Sequence, residues 1–220
     1  MSDSEWFFIV NVGKIMICGG GSELSLRKWA KLFLKTLLVG AIGAVIVGLG
    51  LQLFNGAIEF TGTADLLLYP LILLGYGALV SVYSQMGFFA YLTLNYMGIG
   101  IFKRRTWQYI QIGLSVLALF ELMFFRTFVG GNESLGHDLT LGIGILIVAI
   151  VVAYFKAKST NASAWIPTIF FMIAVTTVEI IGVLSIGERN ATLFIIIPLL
   201  ICNAYQILTL HKVTQDEKKS

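Results

Sequence analysis

Long apolar runs alternate with short polar segments along this chain, and the length of the runs decides the fold class. Six apolar runs cover 34–54, 66–94, 108–125, 139–155, 165–186 and 193–210. A helix of roughly 20 residues crosses a hydrocarbon core about 30 Å thick. None of the runs alternates polar and apolar residues as the strands of a membrane barrel do. The pattern predicts an all-α polytopic membrane protein, with one bundle of six transmembrane helices over residues 24–212.

Composition agrees with that pattern. The chain is 57% hydrophobic and 12% charged, with a mean hydropathy of +0.88, whereas soluble domains carry about 25% charged residues. The connecting segments are short, so neither face has room for a separate soluble domain. Residues 213–220 are predicted to form a polar tail.

The positions of the positive charges predict an orientation. Of the 15 Lys and Arg residues, all but Arg126 and Arg189 fall at alternate connecting segments and at the two ends of the chain. Positive segments stay on the cytoplasmic side, so we expect both termini in the cytoplasm of a bacterial cell and the helices in its cytoplasmic membrane. Trp29, Trp107 and Trp165 mark the predicted cytoplasmic ends of spans, where amphipathic rings are favoured.

Residues 1–23 form a poorly structured extension in this prediction. Their apolar patch is short and broken, and they lack the order of charge, apolar core and small residues that defines a signal peptide. Two interpretations stay open. The segment is an interfacial tail, or translation starts at Leu24 or Leu26, because "GGGSE" is what a purine-rich ribosome-binding site would encode. In neither case do we expect a function for it.

Three amides inside the spans are candidates for a site or a packing device. Gln85 in the second span, and Asn203 and Gln206 in the sixth, are all predicted in the inner half of the bilayer. Asn203 and Gln206 are three residues apart and share a helix face. Pro198 removes a backbone donor one turn away and should kink the helix. The amides form either an interhelical clamp, worth under about 2 kcal/mol, or a ligand site facing Gln85.

Two carboxyl groups also fall inside spans, and ionisable groups there are functional candidates by default. Glu121 and Glu179 are predicted in the outer half of the third and fifth spans. They are tied to Arg126 near the outer surface or protonated in place. Alternatively, they serve a proton or cation step, or contact a partner helix. No acid occupies the inner half of a span, so a proton relay across the membrane is not predicted.

Small residues recur at a spacing of four in the first span. Gly40, Ala44 and Gly48 form a face typical of helices that approach closely, either within the bundle or in a homo-oligomer.

Catalytic and metal-binding motifs are absent from the sequence. It contains no P-loop, no dinucleotide-binding glycine motif and no His-Glu-x-x-His. His137 and His211 fall on opposite faces of the membrane and cannot form one metal site. Cys18 and Cys202 do not indicate a disulfide framework. We therefore expect no enzyme activity, metal or cofactor. Nucleic-acid binding is not expected either, since membrane topology and anionic head groups account for the "KRR" run at 103–105.

Three long stretches carry a family resemblance: "SQMGFFAYLTLNYMGIGIF" (84–102), "FFMIAVTTVE" (170–179) and "PLLICNAYQILTLHK" (198–212). They resemble the KinB-signalling activation (KbaA) family of endospore-forming bacteria, and the likeness extends over about residues 24–212. The resemblance implies a six-span inner-membrane protein needed for activity of the sensor kinase KinB, which feeds the phosphorelay that starts sporulation. It implies no enzymatic activity and no defined active site.

Two functions are consistent with these expectations. The first is a non-enzymatic membrane regulator that activates a KinB-like sensor histidine kinase through helix contacts within the bilayer. The alternative is a small transporter or channel that supplies the signal read by the kinase. An enzyme acting on lipid would need a nucleophile and base that the sequence does not offer.

Overall fold

The protein is all-helical in the part that its computed structural model describes, which comprises residues 23–55, 63–130, 135–184 and 192–215. The α-helices are α1 (Glu23–Asn55), α2 (Thr63–Ile101), α3 (Arg104–Gly130), α4 (Leu135–Ser159), α5 (Trp165–Phe170), α6 (Thr176–Leu184) and α7 (Thr192–Gln215). A 3₁₀ turn, Ala162–Ala164, precedes α5. A five-residue π-helix, Phe171–Val175, joins α5 to α6, and we refer to it as the π-turn.

Six helical segments of the described chain are long and apolar enough to cross a membrane. They are Arg27–Leu51, Leu68–Ile101, Arg104–Phe124, Leu139–Ser159, Ala162–Gly182 and Phe194–His211. The prediction of an all-α fold with six such helices is confirmed. The fifth segment is composite, because it contains the 3₁₀ turn, α5, the π-turn and most of α6.

Two of the predicted helices were too short. The second run was expected to end at 94, but α2 continues to Ile101 because the residues that follow are still apolar and helix-compatible. The last helix continues to Gln215, so it includes the first residues of the predicted tail. Residues 1–22, on which the predicted extension and its alternative start depend, lie outside the described residues.

The helices pack into one bundle in which α1, α2 and α7 form one closely contacting group. A second group consists of α3, α4 and the fifth segment, and α2 also contacts the π-turn and α6. Close approach of α1 and α2 depends on glycine: a Cβ on Gly77 would lie 2.5 Å from the Gly40 carbonyl oxygen and 2.6 Å from Ala44 Cβ. The face of Gly40, Ala44 and Gly48 is therefore occupied within one chain. Gly40 lies against Ser81, and Gly48 against Leu73 of α2.

A tight corner connects α2 to α3, with two residues between the helices. Trp107 Nε1 donates to Asn95 Oδ1 over 2.8 Å, and Gln111 Nε2 donates to the same oxygen over 3.1 Å. The Trp107 ring covers Gly98, where any Cβ would overlap it. Phe102 stacks on Trp107 at a centroid distance of 6.2 Å. These contacts fix the start of α3 on the end of α2.

Two apolar clusters fill the interior of the described bundle. One contains Phe88 of α2, Phe171 of the π-turn and Ile207 of α7. The other contains Val80 of α2, Ile180 of α6 and Leu199 of α7. Between these positions, the buried residues of α2 and α6 are all polar and those of α7 include two amides, whereas the buried residues of the π-turn are apolar. The bundle thus holds a polar layer enclosed between two apolar clusters.

Candidate functional site

The buried polar layer is the candidate site, and three helices build it. It comprises Ser81, Ser84 and Gln85 of α2, Thr176, Thr177 and Glu179 of α6, and Asn203 and Gln206 of α7. Each of these side chains is at most 4% exposed. Buried polar groups cost free energy unless they are hydrogen-bonded, so the bonding pattern of the layer shows what holds it together.

A continuous series of hydrogen bonds runs through the layer, and we call it the donor chain. Gln206 Nε2 donates to Ser84 Oγ over 3.2 Å. The Ser84 hydroxyl donates to Asn203 Oδ1 over 2.5 Å. Asn203 Nδ2 donates to Glu179 Oε2 over 2.6 Å and to Thr176 Oγ1 over 2.9 Å. The donor chain therefore links α7, α2 and α6, and it ends on a carboxyl group.

Gln85 occupies a different side of the layer from the one expected. Its Nε2 donates to Ser81 Oγ over 3.2 Å and to the Phe33 carbonyl of α1 over 3.3 Å. The preceding residue, Ser84, bonds to Asn203 and Gln206 instead. One residue along an α-helix corresponds to a rotation of about 100°, so the two neighbours point toward different helices. Gln85 ties α2 to α1, and Ser84 ties α2 to α7.

Glu179 was predicted in the outer half of the bilayer and the amides in its inner half, and these depths stay predictions. Within the bundle the two sets meet, since Asn203 bonds directly to the Glu179 carboxyl group. Asn203 lies about 18 Å from the end of α7 at Gln215. An acidic residue of the fifth span thus belongs to the same layer as the amides of the sixth.

The other predicted polar candidates lie elsewhere. Glu121 of α3 is exposed, outside the layer. The side chain of Arg126 is outside the described part of the structure, and so is that of His137. Pro198 is buried inside α7, which continues as helix on both sides of it. The kink at Pro198 stays a prediction.

Two glycines that sequence reasoning passed over shape the layer. A Cβ on Gly87 of α2 would overlap Glu179 Oε1, and a Cβ on Gly182 of α6 would overlap the hydroxyl oxygen of Tyr83. Each helix therefore places one side chain on a glycine of the other, and the order of the pairs makes α2 and α6 antiparallel. Glycine in the midst of a helix is the signal that identifies such close approaches.

The layer contains more acceptors than donors. Four of its oxygen atoms are buried without a hydrogen-bond partner: Gln85 Oε1, Thr177 Oγ1, Glu179 Oε1 and Gln206 Oε1. No nitrogen atom of these side chains is in that condition. Each such atom in a native structure calls for an explanation. Three of the four are amide or carboxyl oxygens that lack a donor, whereas the Thr177 hydroxyl carries its own hydrogen.

The π-turn lies directly before the residues that α6 contributes to the layer. Phe171, Met172 and Ile173 are at most 1% exposed, so the irregular turn is at the centre of the bundle. π-helical turns are rare and occur frequently at functional sites. An i→i+5 turn holds one residue more than an α-helical turn, and this extra residue sets the direction in which Thr176 and Glu179 point.

Within the described residues, no group of three His, Cys, Asp or Glu side chains is placed to hold a metal ion. Cys202 is a free buried thiol whose Sγ lies 4.0 Å from the Thr36 carbonyl oxygen. The His211 ring contacts the Leu208 carbonyl of its own helix. The arrangement can hold helices together through hydrogen bonds, and the one acid in it is Glu179.

The described residues define a class: an all-helical bundle in which six segments are long and apolar enough to span a membrane, and a polar layer lies at its centre. Residues 40–213, which include the entire layer, match the KbaA family, described as KinB-signalling pathway activation in sporulation. The chain belongs to this family. The family is a signalling-pathway activator and is not a known class of enzyme.

A curated relative is similar over most of its length. The chain is 29% identical over 191 residues to the KinB-signaling pathway activation protein of Bacillus subtilis (strain 168), covering 84% of this chain and 96% of the relative. No solved structure matches the chain.

Proposed function

We propose that the chain is a multi-pass protein of the bacterial cytoplasmic membrane, with both termini in the cytoplasm, that activates a membrane sensor histidine kinase of the KinB type. That kinase would feed the sporulation phosphorelay. The family match over residues 40–213 carries this proposal. The printed name of the Bacillus subtilis relative, which concerns KinB signalling, supports it.

Activation acts through helix contacts in the bilayer in this proposal. A regulator of this kind binds the spans of the kinase in one of two arrangements and shifts the population toward the active one. The buried polar layer supports such a role, because its hydrogen bonds connect α1, α2, α6 and α7. A bundle fixed in one arrangement presents one surface to a partner, and buried polar groups are one means of specifying a unique arrangement.

Co-purification with the co-expressed kinase tests the proposal. Gln85→Leu removes the link to Phe33, and Asn203→Leu removes the centre of the donor chain. We expect both variants to retain less kinase than the wild type and to lower kinase autophosphorylation in joint proteoliposomes. Met86→Leu and Ile201→Leu are matched controls, since these neighbours are 65% and 41% exposed. Unchanged binding and activation in both layer variants would contradict the role of the layer.

A second candidate function, a transporter or channel for the signal that the kinase reads, gains one supporting observation. Glu179 shares a layer with the amides of α7, so one acid and these amides lie together, as a path through the bundle would require. Two apolar clusters enclose the layer, however, and this favours the regulator. Proton or solute flux into liposomes containing the purified protein, and absent from empty liposomes, would favour the transporter.

A further inference from the structure

The donor chain has a single direction, which ends at Glu179. Gln206 donates to Ser84, Ser84 donates to Asn203, and Asn203 donates to Glu179 Oε2. Hydrogen bonds in series polarise one another, and their electrostatic effect is larger in a low-dielectric interior than in water. A change of charge on the Glu179 carboxyl group therefore acts along the donor chain as far as Gln206, about one turn from Asn203 on α7.

The second oxygen of Glu179 is the atom available to a proton. Glu179 Oε1 has no hydrogen-bond partner, and it is packed against Gly87 without space for a Cβ, so no room is left for a metal ion on that side. An isolated carboxylate in an apolar interior costs much more free energy than a neutral carboxyl group. A proton is the ligand that removes this charge without requiring space.

No described side chain on the elements that pack against α6 brings a positive charge to Glu179; the side chain of Arg126 on α3 lies outside the described part of the structure. The titratable neighbours are Tyr83 on α2 and Cys202 on α7, and neither side chain carries a positive charge in any protonation state. On α3, which also packs against α6, Glu121 is exposed. Glu179 itself bonds to an amide, Asn203. Among the described side chains, Glu179 therefore has no ion-pair partner.

Three unpartnered oxygens of the layer only accept hydrogen bonds, unlike the Thr177 hydroxyl, which carries its own hydrogen: Gln85 Oε1, Glu179 Oε1 and Gln206 Oε1. A carboxylate only accepts, whereas a protonated carboxyl group also donates. One proton, taken from a hydronium ion in the aqueous phase with release of water, therefore adds a donor to the layer.

We propose that Glu179 is a proton-binding site whose occupancy sets the hydrogen bonding between α6 and α7. With a proton on Oε1, the carboxyl group is neutral and accepts from Asn203 at Oε2. Without it, the bond from Asn203 becomes charge-assisted and about twice as strong, and the amide is drawn from Thr176 toward Glu179. As an input to kinase activation, this site rests on the proposed function, but proton binding itself does not.

Infrared spectroscopy of the protein in liposomes tests proton binding directly. The carboxyl C=O stretch reports a protonated acid, and labelling of glutamate with ¹³C separates it from aspartate without any substitution. We expect a protonated-glutamate band in the wild type that disappears as the pH rises, and that is absent from Glu179→Gln. Glu121→Gln is the matched control and should leave the band unchanged. A wild-type band that does not respond to pH while the protein stays folded, or a titrating band that persists in Glu179→Gln, would overturn the proposal.

A second variant separates proton binding from a purely structural role. Asn203→Ala removes the donor to Oε2, so we expect the frequency and the pH midpoint of the band both to change. An unchanged band in folded Asn203→Ala would also overturn the proposal. Kinase activation in joint proteoliposomes should become independent of pH in Glu179→Gln. If the layer variants abolish activation while no glutamate titrates, the proton-binding site is refuted and the proposed function stands. If Glu179 titrates without effect on the kinase, the proton-binding site stands and its role in signalling is refuted.

Discussion

Asn203 of α7 donates to Glu179 Oε2 of α6 over 2.6 Å, and this bond joins the acid of the fifth helical segment to the amides of the sixth. Ser84 of α2 completes the connection from the other side of Asn203. One amide thus contacts two neighbouring helices at once. Removal of Asn203 leaves two hydroxyls, of Ser84 and Thr176, and one carboxyl group buried with fewer partners, and this cost is the basis of the first prediction.

Asn203→Leu should destabilise the protein by about 1–2 kcal/mol, within the range measured for interhelical hydrogen bonds in membrane bundles. Unfolding in detergent with increasing denaturant measures the difference. Ile201→Leu, at an exposed position of the same helix, should be nearly neutral. Equal stabilities of the two variants would show that the donor chain contributes no net free energy.

Gly77→Ala should lower stability by about 1–3 kcal/mol, the usual cost of overpacking. The new Cβ would meet the Gly40 carbonyl oxygen and Ala44 Cβ, so α1 and α2 would have to separate. Gly75 has no atom within 4 Å of an added Cβ, and Gly75→Ala should be neutral or stabilising by up to about 1 kcal/mol. Thermal unfolding of the pair gives the comparison, and a destabilised Gly75→Ala would indicate that helix flexibility, not close approach, is what matters.

Deletion of Ala174 should convert the π-turn to an α-helical turn and leave the direction of α6 unchanged, because an i→i+5 turn holds one extra residue. Insertion of one alanine after Ala174 should rotate α6 by about 100°. The rotation of α6 can be measured by oxidative crosslinking of Thr176→Cys with Asn203→Cys in a protein without its native cysteines. The two positions are close enough to crosslink because the native side chains are hydrogen-bonded.

We expect the crosslink to persist after the deletion and to disappear after the insertion. A Ser84→Cys, Asn203→Cys pair, which joins α2 and α7 and does not involve α6, is the control and should crosslink in both backgrounds. Loss of the first crosslink in the deletion variant would contradict the assignment of the extra residue to the π-turn.

Asn95→Ala should cost about 1–3 kcal/mol, because Trp107 Nε1 and Gln111 Nε2 both lose their acceptor in a buried site. Thr93→Ala removes an exposed hydroxyl that bonds to Phe89 of its own helix and should change stability by less than about 0.5 kcal/mol. Denaturant unfolding separates the two variants. Equal values would mean that the α2–α3 corner is held by ring packing alone.

Cysteine labelling tests on which side of the membrane the connecting segments lie. In a chain without native cysteines, Lys103→Cys should react with a membrane-impermeant maleimide only after the cells are opened, as expected from the positive charges around it. Asn132→Cys should react in intact cells. The reverse pattern would place both termini outside the cytoplasm.

The number of helices could be predicted from the sequence because each apolar run is about as long as a helix that crosses a bilayer. The amides of the layer were also visible, since Gln and Asn are costly in an apolar run. The hydrogen-bond partners of these amides could not be predicted, because they depend on how each helix is rotated about its axis. A change of one residue exchanges Gln85 for Ser84 as the contact of α7.

Two further features carry almost no sequence signal. Serine and threonine are common in membrane helices, so Ser84 and Thr176 do not differ from residues that bond to their own backbone. The π-turn consists of ordinary apolar residues, and no residue type in it indicates that the helix contains an extra residue. The sequence shows that positions 87 and 182 are glycines, but it does not show that a side chain from another helix lies on each of them.

The reciprocal pairs of α2 and α6 restrict how the two helices can move. Tyr83 lies on Gly182 while Glu179 lies on Gly87, and the two contacts are about one helical turn apart. A small slide would drive both side chains into backbone that has no space for them. A slide of a full turn, roughly 5.4 Å, does not restore the fit, because it would bring Glu179 opposite Tyr83 or Tyr91 in place of Gly87. The two contacts therefore hold the helices at one position along their axes, and a response that displaces α6 along α2 would have to break both contacts together.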